Sequence, residues 1–178
     1  DRMVMLASSQ EHKRLYDDDQ APNTGGMGAY SPAPVVTESL WPLIRSRVFE
    51  PTIKELKRRG IDYRGVLYAG IMVTAKGPKV LEFNCRFGDP ETQAVLARWE
   101  GDLLPALEAV VEGTLEDHHV RWKPQPSVCV VVSAGGYPGE YATGDVITGL
   151  DQAATVPGTV VFHAGTRLKG QQVLTAGG

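Results

Sequence analysis

Apolar positions along the chain change their spacing several times, and each change marks an expected element. Arg2 to Ala7 reads as a strand entered abruptly, with no cap or turn signal ahead of it, so the sequence is expected to start inside a larger domain. From Asp17 to Pro34 the periodicity lapses into acidic, glycine and proline residues, among them Pro22-Asn23-Thr24-Gly25-Gly26-Met27-Gly28. A loop is expected there, and loops of such length are usually functional or disordered. Thr37 and Glu38 open a stretch in which Leu40, Ile44, Val48 and Ile53 keep approximate helical spacing up to Gly60, with Pro51 placed to kink or interrupt it. Val66 to Val73 and Lys79 to Asn84 read as two strands of a hairpin, joined through Ala75-Lys76-Gly77-Pro78. Helices are expected over roughly Glu91 to Trp99 and Asp102 to Val111.

Beyond Asp117 the texture shifts through Trp122-Lys123-Pro124-Gln125-Pro126 into short strands such as Val128 to Val132. The proline-bracketed stretch is the expected boundary, giving domains at 1–122 and 123–178. Gly135-Gly136-Tyr137-Pro138-Gly139 and Gly144-Asp145 punctuate the second, β-rich module, and Val173-Leu174 reads as another strand. A chain of 178 residues has room for one large domain or two small ones.

Composition adds mainly exclusions. With 42% hydrophobic and 22% charged residues the chain resembles an ordinary soluble globular protein. No apolar run approaches the ~20 residues of a membrane span, and the opening is too short for a signal peptide, so no membrane partner is expected. Net charge is -3, and the one dense basic run, Lys54 to Arg59, falls at the end of the expected helix, where cations complement the helix dipole. A nucleic-acid surface would bring a basic balance across the domain, so nucleic acid is not an expected partner. Cys85 and Cys129 lack metal-type spacing and are read as reduced thiols, which favours the cytoplasm. His118 and His119 read as solvated loop residues and His163 as a strand-end residue, and no Ser/His/Asp or Cys/His arrangement can be argued.

Leu81-Glu82-Phe83-Asn84-Cys85-Arg86 carries the candidate chemistry. Strand side chains alternate, so Glu82, Asn84 and Arg86 share a face if the strand continues. Two oxygen donors so spaced suit Mg²⁺, which takes one or two protein groups and keeps waters and substrate phosphates. Arg86 would sit beside those phosphates. Spacing alone is also met by a half-exposed strand with a polar face and no ligand. The following Phe87-Gly88-Asp89-Pro90-Glu91-Thr92 could aim backbone N–H groups and a helix N-terminus at an anion, or be an ordinary cap. Asn23 to Gly28 allows close backbone approach and an anion nest, or is a plain turn. It is neither a Walker loop nor a GxGxxG fingerprint.

Gln10-Glu11-His12-Lys13-Arg14, Gly25 to Pro34, Leu67-Tyr68-Ala69-Gly70 and Glu82 to Thr92 together closely resemble the glycinamide ribonucleotide synthetases, or phosphoribosylamine-glycine ligases. The similarity continues through Gly136-Tyr137-Pro138-Gly139, Gly144-Asp145 and Phe162 to Thr166. The resemblance implies an α+β fold: the second half of an ATP-grasp domain, an antiparallel sheet with helices, followed by a small, truncated β-rich C-terminal domain. It implies ATP and Mg²⁺ (or Mn²⁺) as cofactors, and glycine and 5-phosphoribosylamine as substrates in purine biosynthesis. Glu82 and Asn84 match the family's metal ligands and Arg86 its phosphate-facing arginine. Lys13, Asn23, Thr24, Gly25, Gly26 and Gly28, with Asp89, Pro90, Glu91 and Thr92, match segments on the glycine, phosphoribosyl and phosphate side.

Gly70 aligns where other ATP-grasp ligases often carry a further acidic ligand, as is normal in this family. Two departures stand out. The smaller is Glu11, in a place where the family commonly has Asp. The larger is an absence: the glycine-rich N-terminal domain and the first half of the ATP-grasp, with its lysine-bearing loop, are expected upstream of Asp1. The fragment is therefore expected to be inactive alone, with fusion to other purine enzymes possible in the whole polypeptide. The rival readings are another ATP-grasp carboxylate–amine ligase and a non-catalytic domain of a larger purine-pathway polypeptide.

Overall fold

The polar stretch expected as a loop is the central strand of a sheet. The computed structural model describes residues 2–178. In it, β1 (Gln10–Tyr16) pairs antiparallel with β2 (Gln20–Ser31), and β2 pairs on its other side with β5 (Ser127–Val130). β2 is paired on both sides only over Gly28 to Tyr30; from Gln20 to Asn23 it meets β1 alone, and Thr24 to Met27 lie in an irregularity between those registers. Pairing on both sides asks for closeness: a Cβ on Gly28 would stand 2.6 Å from the Cys129 carbonyl oxygen. Gly28, one of the glycines that suggested a loose turn, is therefore the residue that lets three strands meet.

Arg2 to Ala7 forms no strand, because no strand among the described residues pairs with it. The opening segment is held by side chains. Arg2 makes a 2.6 Å ion pair with Glu116, and the Ser8 carbonyl accepts from Ser31 Oγ at 2.8 Å.

The expected helix to Gly60 is present in three pieces: α1 (Leu40–Ile44), a π-helical turn (Arg45–Phe49) and α2 (Glu50–Arg58). Pro51 lies in the first turn of α2, where its missing N–H costs little, and the wider turn before it accommodates the ring. The basic run closes α2, with Glu55 paired to Arg58 at 2.6 Å and Arg59 at 2.7 Å. β3 (Tyr68–Thr74) and β4 (Gly77–Asn84) form the expected hairpin as a separate two-stranded sheet. α3 (Glu91–Ala97) packs on β2 and β5, and α4 (Leu104–Glu112) follows.

The core lies under α3, where Ala94, Val95 and Trp99 are buried with Ala29 and Ala33. Trp99 meets Trp122 edge to face, ring centroids 5.3 Å apart. Arg98, 9% exposed, is the polar tie. Its guanidinium donates to Ser31 Oγ at 3.0 Å, to the Gln125 carbonyl at 3.0 Å and to the Lys123 carbonyl at 3.3 Å. It thereby fastens the chain entering β5 to the end of β2.

The chain divides into two compact units between Val131 and Val132. That division lies beyond the 122/123 boundary expected from the prolines, because β5 completes the first unit's sheet. In the second unit, α5 (Leu150–Ala154) precedes a hairpin of β6 (Thr166–Lys169) and β7 (Gln172–Thr175), against which Val146 forms a bridge to Leu174. The module is less β-rich than expected: Val160 and Phe162 are 69% and 61% exposed and form no strand. His163 lies ahead of β6, its Nδ1 3.2 Å from Thr166 Oγ1. His118 and His119 stack in a short 3₁₀ turn, Asp117–His119.

Arg98→Ala should lower stability by about 2–3 kcal/mol, since three acceptors lose a charged donor. Arg98→Lys should recover only part of this, because one ammonium cannot fork to all three. Equilibrium urea denaturation of the three proteins measures both steps.

Candidate active site

Strand register places the metal candidates. In the β3–β4 hairpin, Asn84 stands opposite Tyr68 and Glu82 opposite Gly70, with a pairing irregularity just beyond Gly70. Glu82 and Asn84 share the even-numbered face of β4. Gly70 leaves Glu82 its path, since a Cβ there would come 3.2 Å from Glu82 Cγ. β4 ends at Asn84, so Arg86 lies in the bend beyond it and the strand does not set its direction. Its Nη1 donates to the Phe87 carbonyl at 2.8 Å, in the open.

Lys13 joins this hairpin to β1. Its Nζ lies 3.5 Å from Glu82 Oε1 and 3.6 Å from Glu11 Oε2. Glu11 and Lys13 are two residues apart and share one face of β1. The Glu11 carboxyl is pushed up from its ordinary 4.5 to about 7, first by burial and then by the charge of Glu91, with Lys13 opposing. Glu91, 5% exposed, accepts a 2.7 Å hydrogen bond from the Tyr68 hydroxyl. Burial foremost, then that bond, raises the Tyr68 pKa.

The glycine-rich strand and the turn before α3 come together here. Pro90 is fully buried, and a Cβ on Gly26 would run into its ring and stand 2.9 Å from Glu11 Oε1. Two backbone donors of these segments are already used. Gly26 N–H donates to Thr24 Oγ1 at 3.0 Å, while that hydroxyl donates to the Lys13 carbonyl at 2.9 Å. Thr92 N–H donates to the Gly88 carbonyl at 3.2 Å, and Thr92 Oγ1 bonds the same oxygen. Asp89 Oδ1 accepts from Gln93 at 2.8 Å. Asn23 pairs with Arg14 in the β1–β2 ladder and is exposed, as is Gly25, while Gly28 is buried against β5.

The structure thus gathers Lys13, Glu82, Gly26, Pro90 and Glu91 into one neighbourhood, with Asn84 on the Glu82 face. Thr24, Gly28 and Thr92 serve the backbone, and Arg86, Asn23, Gly25 and Asp89 are exposed. Sequence reasoning gave no role to Glu11 or Tyr68, which complete the cluster. Tyr68 could be found only through its cross-strand register with Asn84.

Among the described residues no three His, Cys, Asp or Glu side chains are placed to hold a metal ion. A carboxylate and an amide oxygen on one accessible face are hard donors, and they fit a cation that fills its shell with water and phosphate. No helix among the described residues is long and apolar enough to cross a membrane.

This α+β unit, with its acid–amide pair on one hairpin beside a glycine-rich strand, is of the ATP-grasp class by its match to that domain's family model. The family model described as phosphoribosylglycinamide synthetase, ATP-grasp (A) domain, matches residues 1–92, and that of the C domain matches residues 127–178. The chain belongs to the phosphoribosylglycinamide synthetase family. It is 53% identical to a phosphoribosylamine–glycine ligase of Pseudomonas aeruginosa, over 99% of this chain and 41% of that protein. With the ligase of Vibrio cholerae the identity is 49%, over 100% of this chain and 42% of the relative. The crystal structure of a phosphoribosylamine–glycine ligase from Thermotoga maritima superposes with a TM-score of 0.78 at 32% identity, covering 98% of this chain and 42% of that one. The chain therefore spans about two fifths of the length of these relatives.

Glu11 carries a pH signature. With its folded-state value raised to about 7 from 4.5, the native protein binds more protons than the unfolded chain between those values. Stability from this group is then greatest at low pH and falls as pH rises through that window. In metal-free buffer the urea midpoint of the wild type should drop relative to Glu11→Gln between pH 4.5 and 7, and the two should run parallel above it. Parallel behaviour throughout would show that Glu11 titrates normally.

Proposed function

We propose that this chain supplies the metal-binding and substrate-side portion of a phosphoribosylamine–glycine ligase. In this reaction ATP phosphorylates glycine to glycyl phosphate, and the amine of 5-phosphoribosylamine displaces phosphate to give glycinamide ribonucleotide. The observation that carries the reading is the shared face of Glu82 and Asn84, with Lys13 beside it, in a chain of this family. The unit through Val131 is the later part of the ATP-grasp domain, and the unit from Val132 belongs to the C-terminal domain. The enzyme works in the cytoplasm, in purine biosynthesis.

Glu82 and Asn84 are the residues that would hold Mg²⁺ or Mn²⁺ through their oxygens, and an ion there would supply charge neutralisation for the nucleotide phosphates. Arg86, exposed in its bend, adds a planar cation beside the same phosphates. Lys13 brings a second cation from the opposite sheet. Glu91, locked by Tyr68, fixes the turn through buried Pro90 that presents Asp89, while Asn23 to Gly28 form the facing wall on the glycine and phosphoribosyl side. The fixed placement of these groups lowers the ordering cost of bringing two small substrates together.

The test is ADP release by the full-length enzyme with Mg²⁺-ATP, glycine and freshly generated phosphoribosylamine, each omitted in turn. Release should need both substrates; response to a different carboxylic acid instead would move the chain to another ATP-grasp ligase. Glu82→Ala should cut turnover on the order of 10²-fold or more, with an unchanged urea midpoint. Full activity in that variant would remove Glu82 from the site.

A further inference from the structure

We propose that Lys13 is a tethered cation that competes with the divalent ion for Glu82, and that Glu11 is the acceptor that takes over the ammonium when the ion binds. The inference rests on the reading of Glu82 as a metal ligand. It adds that the protein carries its own counter-ion for that carboxylate and a place to move it.

The geometry is that of a shared cation. Lys13 Nζ stands 3.5 Å from Glu82 Oε1 and 3.6 Å from Glu11 Oε2. Both distances exceed the ~2.7–2.9 Å of a committed charge-assisted hydrogen bond, so neither carboxylate holds the ammonium outright. The two acceptors differ in depth. The Glu82 side chain is 50% exposed and open to an arriving ion, whereas that of Glu11 is 12% exposed and lies behind it. The lysine backbone is pinned, because its carbonyl accepts from Thr24 Oγ1 at 2.9 Å, while its half-exposed four-carbon stem has the rotatable bonds to reach either carboxylate.

A dication on Glu82 and an ammonium on the same oxygen repel each other. One must leave, and Glu11 is already within reach of Nζ. Glu91, the other carboxylate of the cluster, is engaged by Tyr68. The displaced ammonium therefore passes to Glu11, where it offsets the charge of Glu91. Lys13 keeps Glu82 neutralised before the metal-nucleotide arrives and stays beside the phosphates afterwards.

The competition is measurable without turnover. Mn²⁺ binding to the full-length enzyme, in the absence of nucleotide, is followed by the electron paramagnetic resonance signal of the free ion. Lys13→Met should tighten binding about two- to fivefold, the scale of a half-exposed ion pair. Lys13→Arg should stay near the wild type. Glu11→Gln should weaken binding, since the ammonium loses its alternative partner. In the Lys13→Met background Glu11→Gln should have little effect, and this non-additivity separates a hand-over from two independent charges acting at a distance. Unchanged or weaker binding in Lys13→Met, or strictly additive effects in the double variant, would overturn the proposal. Glu82→Gln distinguishes its failure from that of the parent reading. If Glu82→Gln abolishes binding while Lys13→Met does nothing, the metal site stands and the hand-over fails. If Glu82→Gln leaves Mn²⁺ binding intact, both fall together.

Discussion

A buried carboxylate must find a donor, and in this chain that requirement joins the two sheets of the first unit. Glu91 begins α3, the helix that packs on β2 and β5, yet its partner is the Tyr68 hydroxyl at the head of the other sheet. Beside it, Pro90 is wedged against a position of β2 where only glycine fits. The hairpin with Glu82 and Asn84 is thus oriented against β1 and β2 by one hydrogen bond and one close packing contact. Without that junction Lys13 and Glu82, which belong to different sheets, would have no reason to meet.

The same junction concentrates negative charge. Glu91 and Glu82 both act on Glu11, and Lys13 is the one lysine or arginine among the described residues that forms an ion pair with any of the three. Such an arrangement contributes little to stability and makes Glu11 reluctant to ionise. It suits instead a region that receives a multiply charged ligand together with its cation. The polar tie at Arg98 has the opposite character: every acceptor is neutral and fixed, and its role is to hold the β5 connection in place.

Local patterns read well wherever they were periodic. The hairpin, α3, α4 and the interrupted helix around Pro51 were all legible, because helical spacing, the Gly77 turn and a proline act within a few residues of themselves. Asn23 to Gly28 misled for a physical reason. Its signal was a lack of periodicity, and a strand segment anchored through its ends, by Asn23 to Arg14 and by Gly28 to His12 and Val130, with an irregular stretch between, shows none. Arg2 to Ala7 erred the other way, since an apolar run makes a strand only where a neighbour accepts its N–H groups. The division at Val131 escaped composition because β5 belongs by packing to β2.

The amino-acid sequence by itself determined the chemistry on offer and the family. Glu82, Asn84 and the string through Thr92 are adjacent in the chain, and strand alternation suffices to place an acid and an amide on one face. Only the tertiary structure decided which groups surround them. Tyr68, Glu11 and Lys13 approach through register and sheet-to-sheet contact between residues far apart in the chain. Those contacts depend on burial and on two glycines too small to keep the strands and the Pro90 turn apart, and they leave no mark in the spacing of residues.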